Sequence, residues 1–84
     1  MQITFHKQFK KRFDKLPKKI KDHFYSRLDL LIKDKDHIQL NNHSVDKAFN
    51  ECRSINVTGD YRAIFKEEPN LIIFIDIGTH SELY

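Results

Sequence analysis

His80 lies in the closing run Asp76-Ile-Gly-Thr-His80-Ser-Glu-Leu-Tyr84, just beyond an apolar stretch with the pattern of a strand. An imidazole delivered at a strand end can give or take a proton near neutral pH. Arg53 and Arg62 flank a tight turn at Thr58-Gly59-Asp60 and so fall on neighbouring strands. Each guanidinium is a planar fork that matches phosphate oxygens. The turn sets residues 57 and 61 nearly opposite, so both arginines are expected on one patch of sheet. His43 in a polar loop, Asp60 in the turn and the aromatic Tyr84 complete the set. Each alone has an ordinary explanation: an exposed histidine, an arginine in solvent or paired with Asp76 or Asp60, turn chemistry at Asp60, a frayed end at Tyr84.

Together these groups match one reaction. Cleavage of RNA by its own 2′-hydroxyl needs a base for that proton and an acid for the leaving 5′-oxygen. It also needs cations for the charge that gathers on the phosphorus oxygens. An aromatic ring can hold an unstacked base in line. No metal or other cofactor is required, and the sequence has no CxxC or comparable ligand spacing.

The elements that must position these groups follow from periodicity. Met1-Gln-Ile-Thr-Phe5 alternates and reads as a short strand. Phe9, Phe13 and Leu16 form one helical stripe, with Lys10, Lys11, Arg12 and Lys15 on the wet sides. Pro17 breaks that helix and can start a second, in which Ile20, Phe24, Leu28, Leu31 and Ile32 line one face to about Asp34. The short connection implies an antiparallel helical hairpin. Residues 33–46 read as a polar connection. Arg53 to Val57, Tyr61 to Lys66 and Leu71 to Ile77 then read as strands, with turns at Thr58-Gly59-Asp60 and at residues 67–70. Gly59 is expected to supply a positive φ. The last strand is apolar on both faces, so it should be covered on both. The expected fold is α+β in a single domain, residues 1–84. It comprises an N-terminal strand, a helical hairpin on one face, and a three-strand antiparallel meander in one sheet.

Composition narrows the classes. Leu, Ile, Val and Phe make up about 31% of the 84 residues, above the ~20% below which disorder is expected. The single cysteine, Cys52, allows no internal disulfide and points to a reducing cytoplasm; it reads as a small buried residue. No apolar run approaches the ~20 residues of a membrane span, and the basic N-terminal segment lacks the apolar stretch of a signal peptide. Residues 1–21 hold eight Lys or Arg and one acid, +7, whereas residues 22–84 come to −4. So basic a segment suits a polyanion or an acidic protein.

The run Gly78-Thr79-His80-Ser81-Glu82-Leu83-Tyr84 resembles the closing Gly-Thr-His-x-x-Leu-aromatic of the YafQ-like branch of mRNA interferases, within the RelE/ParE superfamily of type II toxins. Arg53 followed by Gly59-Asp60-Tyr61-Arg62 is similar to the superfamily's hairpin pattern, and the likeness spans nearly the whole chain. The resemblance implies a toxin that cuts mRNA in the ribosomal A site and is silenced by a cognate acidic antitoxin, in a toxin–antitoxin hetero-oligomer. It implies catalytic roles for His80, Asp60, His43 and Tyr84, with Arg62 sharing the load as in other RelE-like toxins. Arg53, Lys47, Lys10 and Lys11 would bind RNA. Two positions depart from the branch. Asn56 stands where a further histidine is usual, and His43-Ser-Val-Asp-Lys47 replaces His-x-Leu-x-Gly. Asn56 carries no proton, so the division between acid and base stays open.

Two other readings compete. ParE-like relatives poison DNA gyrase by binding alone, and a basic domain can bind nucleic acid without cutting it. Neither needs His43, Asp60, His80 and Tyr84 together.

Overall fold

The computed structural model describes residues 1–84. Its elements are β1 (Gln2–Phe5), α1 (Lys7–Asp14), α2 (Lys18–Lys33), a 3₁₀ turn at Ile38–Leu40, β2 (His43–Ser44), β3 (Arg53–Asn56), β4 (Tyr61–Glu68), β5 (Leu71–Thr79) and α3 (His80–Leu83). The five strands form one sheet in the order β1-β5-β4-β3-β2.

The apolar stripes place the helices as periodicity requires. Phe9 on α1 and Phe24 and Leu31 on α2 are buried, and Phe13, Leu16, Ile20 and Leu28 pack around them. Pro17 ends the first helical run, and its carbonyl accepts from the amides of Ile20 and Lys21 to open α2. Phe24 is the hub of the core. Its ring lies 5.1 Å from Phe74, 5.2 Å from Phe9 and 5.3 Å from Phe13, in tilted and edge-on contacts. Burying such a side chain stabilises the fold by about 1.5–3 kcal/mol.

Ile55, Ala63, Phe65, Ile72, Phe74 and Ile77 present the sheet face that meets the helices. The opposite face carries Ile64, covered by Cys52 and Leu83, with Val45, Phe49 and Ile75 alongside. β5 is therefore covered on both faces, as its apolar run predicts. A bulge makes this possible. Ile64 pairs with Asp76 and Phe65 with Phe74, which leaves Ile75 unpaired. Ile75 joins the outer cluster, and Asp76 meets Arg12 of α1 at 3.5 Å.

Four features differ from the sequence reading. The sheet is mixed, because β1 pairs in parallel with β5 from Gln2↔Leu71 to Phe5↔Phe74. The direction of that edge strand is set by where the two helices return the chain, which periodicity does not report. The polar connection holds real structure: Leu40 is fully buried, and β2 adds an antiparallel edge strand to β3. Gly59 has no positive φ; those values fall at Asn41, Glu51 and Asn70. The Thr58 hydroxyl instead closes the turn by accepting from the amides of Asp60 and Tyr61 at 3.2 and 3.0 Å. Finally, the chain after β5 turns at once into helix α3.

Candidate active site

A cleft of about 370 Å³ opens on the sheet face away from α1 and α2, lined by Asn41, His43, Val45, Ser54, Arg62, His80 and Tyr84. Alternation along the strands explains the membership. Register pairs His43 with Ser54, Ser54 with Ile64, and Asn56 with Arg62, so these side chains share the outer face.

Three devices hold the histidines and the arginine. Asn41 takes the left-handed conformation (φ 47°, ψ 47°), which asparagine tolerates better than most residues. Its carbonyl lies 2.7 Å from His43 Nδ1. A carbonyl only accepts, so Nδ1 carries the proton, and the neutral ring keeps its lone pair on Nε2. Arg62 Nη1 donates to the carbonyls of Thr58 and Gly59, each at 3.0 Å, and of Tyr61 at 3.2 Å. This clamps the turn and leaves Nε and Nη2 for another partner. His80 opens α3. Its amide donates to the Asp60 carbonyl at 3.1 Å, and its ring lies 4.8 Å from that of Tyr84. Thr79 caps the helix with a reciprocal pair: Thr79 Oγ1 accepts from the Glu82 amide, and Glu82 Oε1 accepts from the Thr79 amide. Those bonds hold the Glu82 carboxyl below the usual range, and the nearby Arg12 cation acts in the same direction.

The structure thus brings together His43, Arg62, His80 and Tyr84. Asp60 reaches this cleft through its backbone, and its carboxylate is not among the lining groups. Lys47 lines an adjoining hollow with Ser44, Val45 and Tyr84. Arg53 does not share a patch with Arg62. It pairs with Phe65 and so takes the other parity, with Nε donating to Asn42 Oδ1 at 2.7 Å. That bond ties the loop before His43 to β3. Lys10 and Lys11 are exposed on α1, across the sheet from the cleft. Asn41, Val45 and Ser54 are lining residues that the sequence reading missed. A strand parity count from Arg62 would have found Ser54. Its hydroxyl, like Asn56 Oδ1, is buried without a hydrogen-bond partner. No cluster of His, Cys, Asp and Glu assembles a metal-ligand set, and no helix is long and apolar enough to cross a membrane.

A family model described as bacterial toxin of type II toxin-antitoxin system, YafQ, matches residues 1–84. No curated protein matches the chain. Among solved structures, YafQ from E. coli strain BL21(DE3) is 24% identical with a TM-score of 0.79, covering 98% of this chain and 96% of its own. The toxin fold in the E. coli DinJ–YafQ complex gives 22% identity and a TM-score of 0.76, with 98% and 96% coverage. The RelB–RelE antitoxin–toxin complex from Methanococcus jannaschii gives 18% and 0.74, with 96% and 94% coverage. At these identities the structures establish a shared fold.

Proposed function

The chain belongs to the YafQ family of bacterial toxins of type II toxin–antitoxin systems, and from that premise we propose that it is a ribosome-dependent endoribonuclease that cuts mRNA by attack of the 2′-hydroxyl. The observation that carries this reading is the single cleft lined by two imidazoles, a guanidinium with unused donors and an aromatic ring. Fold alone would not carry it, since one fold can serve several functions.

The chemistry follows from the protons. His43, with Nδ1 held by the Asn41 carbonyl, offers Nε2 as the base for the 2′-hydroxyl. His80 in its protonated form is the acid for the leaving 5′-oxygen. As the 2′-oxygen bonds to phosphorus, charge builds on the non-bridging oxygens, where Arg62 Nε and Nη2 can donate. Tyr84 supplies a face for the base beside the scissile bond. This order assigns base and acid without a titrating group at Asn56.

The surfaces suggest a division of labour. Lys10 and Lys11 lie across the sheet from the cleft, so they suit ribosomal RNA phosphates or an acidic partner, and Lys47 suits the mRNA backbone. The solved DinJ–YafQ and RelB–RelE complexes support a cognate antitoxin as the protein partner. A gyrase poison or a simple nucleic-acid binder would not need this cleft. Induced expression tests the reading. The wild-type chain should arrest growth with truncated mRNA, and folded His80→Ala should do neither. Full arrest by His80→Ala, or DNA damage with translation intact, would overturn it.

A further inference from the structure

We propose that Thr79 and Glu82 form one positioning device that fixes the backbone from which the ring of His80 projects into the cleft, with Gly78 leaving room for the Glu82 carboxylate. The proposal rests on the nuclease reading above for its consequence, but its geometry stands on separate contacts.

α3 is a single turn, too short to be stable by helix propensity alone. Its anchors are therefore local. Thr79 Oγ1 accepts from the Glu82 amide at 3.2 Å, and Glu82 Oε1 accepts from the Thr79 amide at 2.8 Å. The Tyr84 amide donates to the His80 carbonyl at 3.1 Å, and buried Leu83 pins the turn to the outer cluster. His80 lies between the two partners of the reciprocal cap, so the cap fixes the backbone from which its ring projects.

Gly78 leaves space beside the cap for the ends of Glu82 and of Arg12 from α1. A Cβ built on Gly78 would stand 3.2 Å from Glu82 Oε1 and 3.3 Å from Arg12 Nη1. With a side chain there both ends would have to give by a few tenths of an ångström; the φ of Gly78 itself is ordinary. Arg12 Nη1 is buried without a hydrogen bond, 3.5 Å from Asp76 Oδ1. Its ion-pair partner is Asp76, whereas Lys10 and Lys11 are exposed. The Gly-Thr-His-x-Glu run thus reads as space for the carboxylate, the cap, the imidazole and the cap's reciprocal partner.

The test uses the full chain with Glu82→Ala, Thr79→Val, Thr79→Ser and Glu82→Gln. Two readouts are taken: maximal single-turnover cleavage of mRNA on programmed ribosomes, and the NMR contact between the His80 and Tyr84 rings. Misplacement of a catalytic group by about 1 Å can cost up to ~100-fold. Glu82→Ala and Thr79→Val should lower the maximal rate about tenfold or more. Their half-saturating ribosome concentration should hold, and the ring contact should weaken. Thr79→Ser and Glu82→Gln keep the hydrogen bonds and should restore both readouts. A wild-type rate or an undiminished ring contact in Glu82→Ala and Thr79→Val would overturn the proposal. If the wild-type chain itself cut no mRNA, the nuclease reading would fail, and the ring contact would still decide the positioning claim.

Discussion

Under the proposed nuclease function Arg62 has two jobs on one guanidinium, and its removal separates them. Nη1 clamps three carbonyls of the turn, while Nε and Nη2 are left for substrate. The turn is at the surface, so in Arg62→Ala water replaces most of the lost bonds. We expect a cost of about 1 kcal/mol. For a domain of this size that lowers the melting temperature by about 4–8 °C. The catalytic loss is larger. Removing a donor aimed at developing charge costs about 2.7–4 kcal/mol, or ~100–1000-fold in rate. Arg62→Lys keeps the charge but lacks the fork and cannot serve both jobs, so it should recover only part of the rate. Single-turnover cleavage on programmed ribosomes, paired with thermal melts, reads both quantities. A fall of less than about fivefold in Arg62→Ala would exclude a role for its free donors on the developing charge, because it lies outside the range for a lost donor. A drop beyond about 15 °C would refute the reasoning in another way, by showing that the clamp dominates.

Ser54 has a buried hydroxyl with no partner, so Ser54→Ala should be neutral or stabilising by up to about 1 kcal/mol in denaturant melts. The Glu82 carboxyl is held below its ordinary value, so its contribution is present above the unfolded-state value and is lost as pH falls through the folded one. Acid below about pH 4.5 should therefore loosen α3 first, seen as a lower exchange protection factor at Tyr84, relative to the intrinsic rate at each pH, before the sheet melts. Burial pushes the Cys52 thiol up, with Lys66 opposing it and Asp46 and Glu51 adding to the rise. Labelling by iodoacetamide at pH 8 should accordingly be slow in the native chain and fast in urea.

Much of the fold is legible because burial writes periodic patterns. The stripe Phe9, Phe13, Leu16 and the stripe Ile20, Phe24, Leu28, Leu31 specify two helices, and a doubly apolar Leu71–Ile77 specifies an interior strand. What was not legible lacks a period. β2 has two residues, too few to alternate, and the 3₁₀ turn rests on one buried side chain, Leu40. The parallel direction of β1 depends on tertiary return and not on local sequence. In the site, His43, Arg62, His80 and Tyr84 could be chosen by chemistry. Arg53 could not be separated from Arg62 by distance along the hairpin; only strand parity sends it to the other face. The one-turn α3 did carry a signal in Thr79-x-x-Glu82, a capping signature normally sought ahead of a long apolar helix.

Under the proposed function this cleft breaks an RNA linkage through the neighbouring 2′-hydroxyl. The most direct measurement is the chemistry of the cut ends on programmed ribosomes, made with an all-ribose mRNA and with one bearing a single 2′-deoxynucleotide at the scissile position. Attack by the 2′-hydroxyl should leave a 2′,3′-cyclic phosphate and a free 5′-hydroxyl from the first, and give no cleavage of the second. A 5′-phosphate product, or cutting of the deoxy-substituted message, would contradict it.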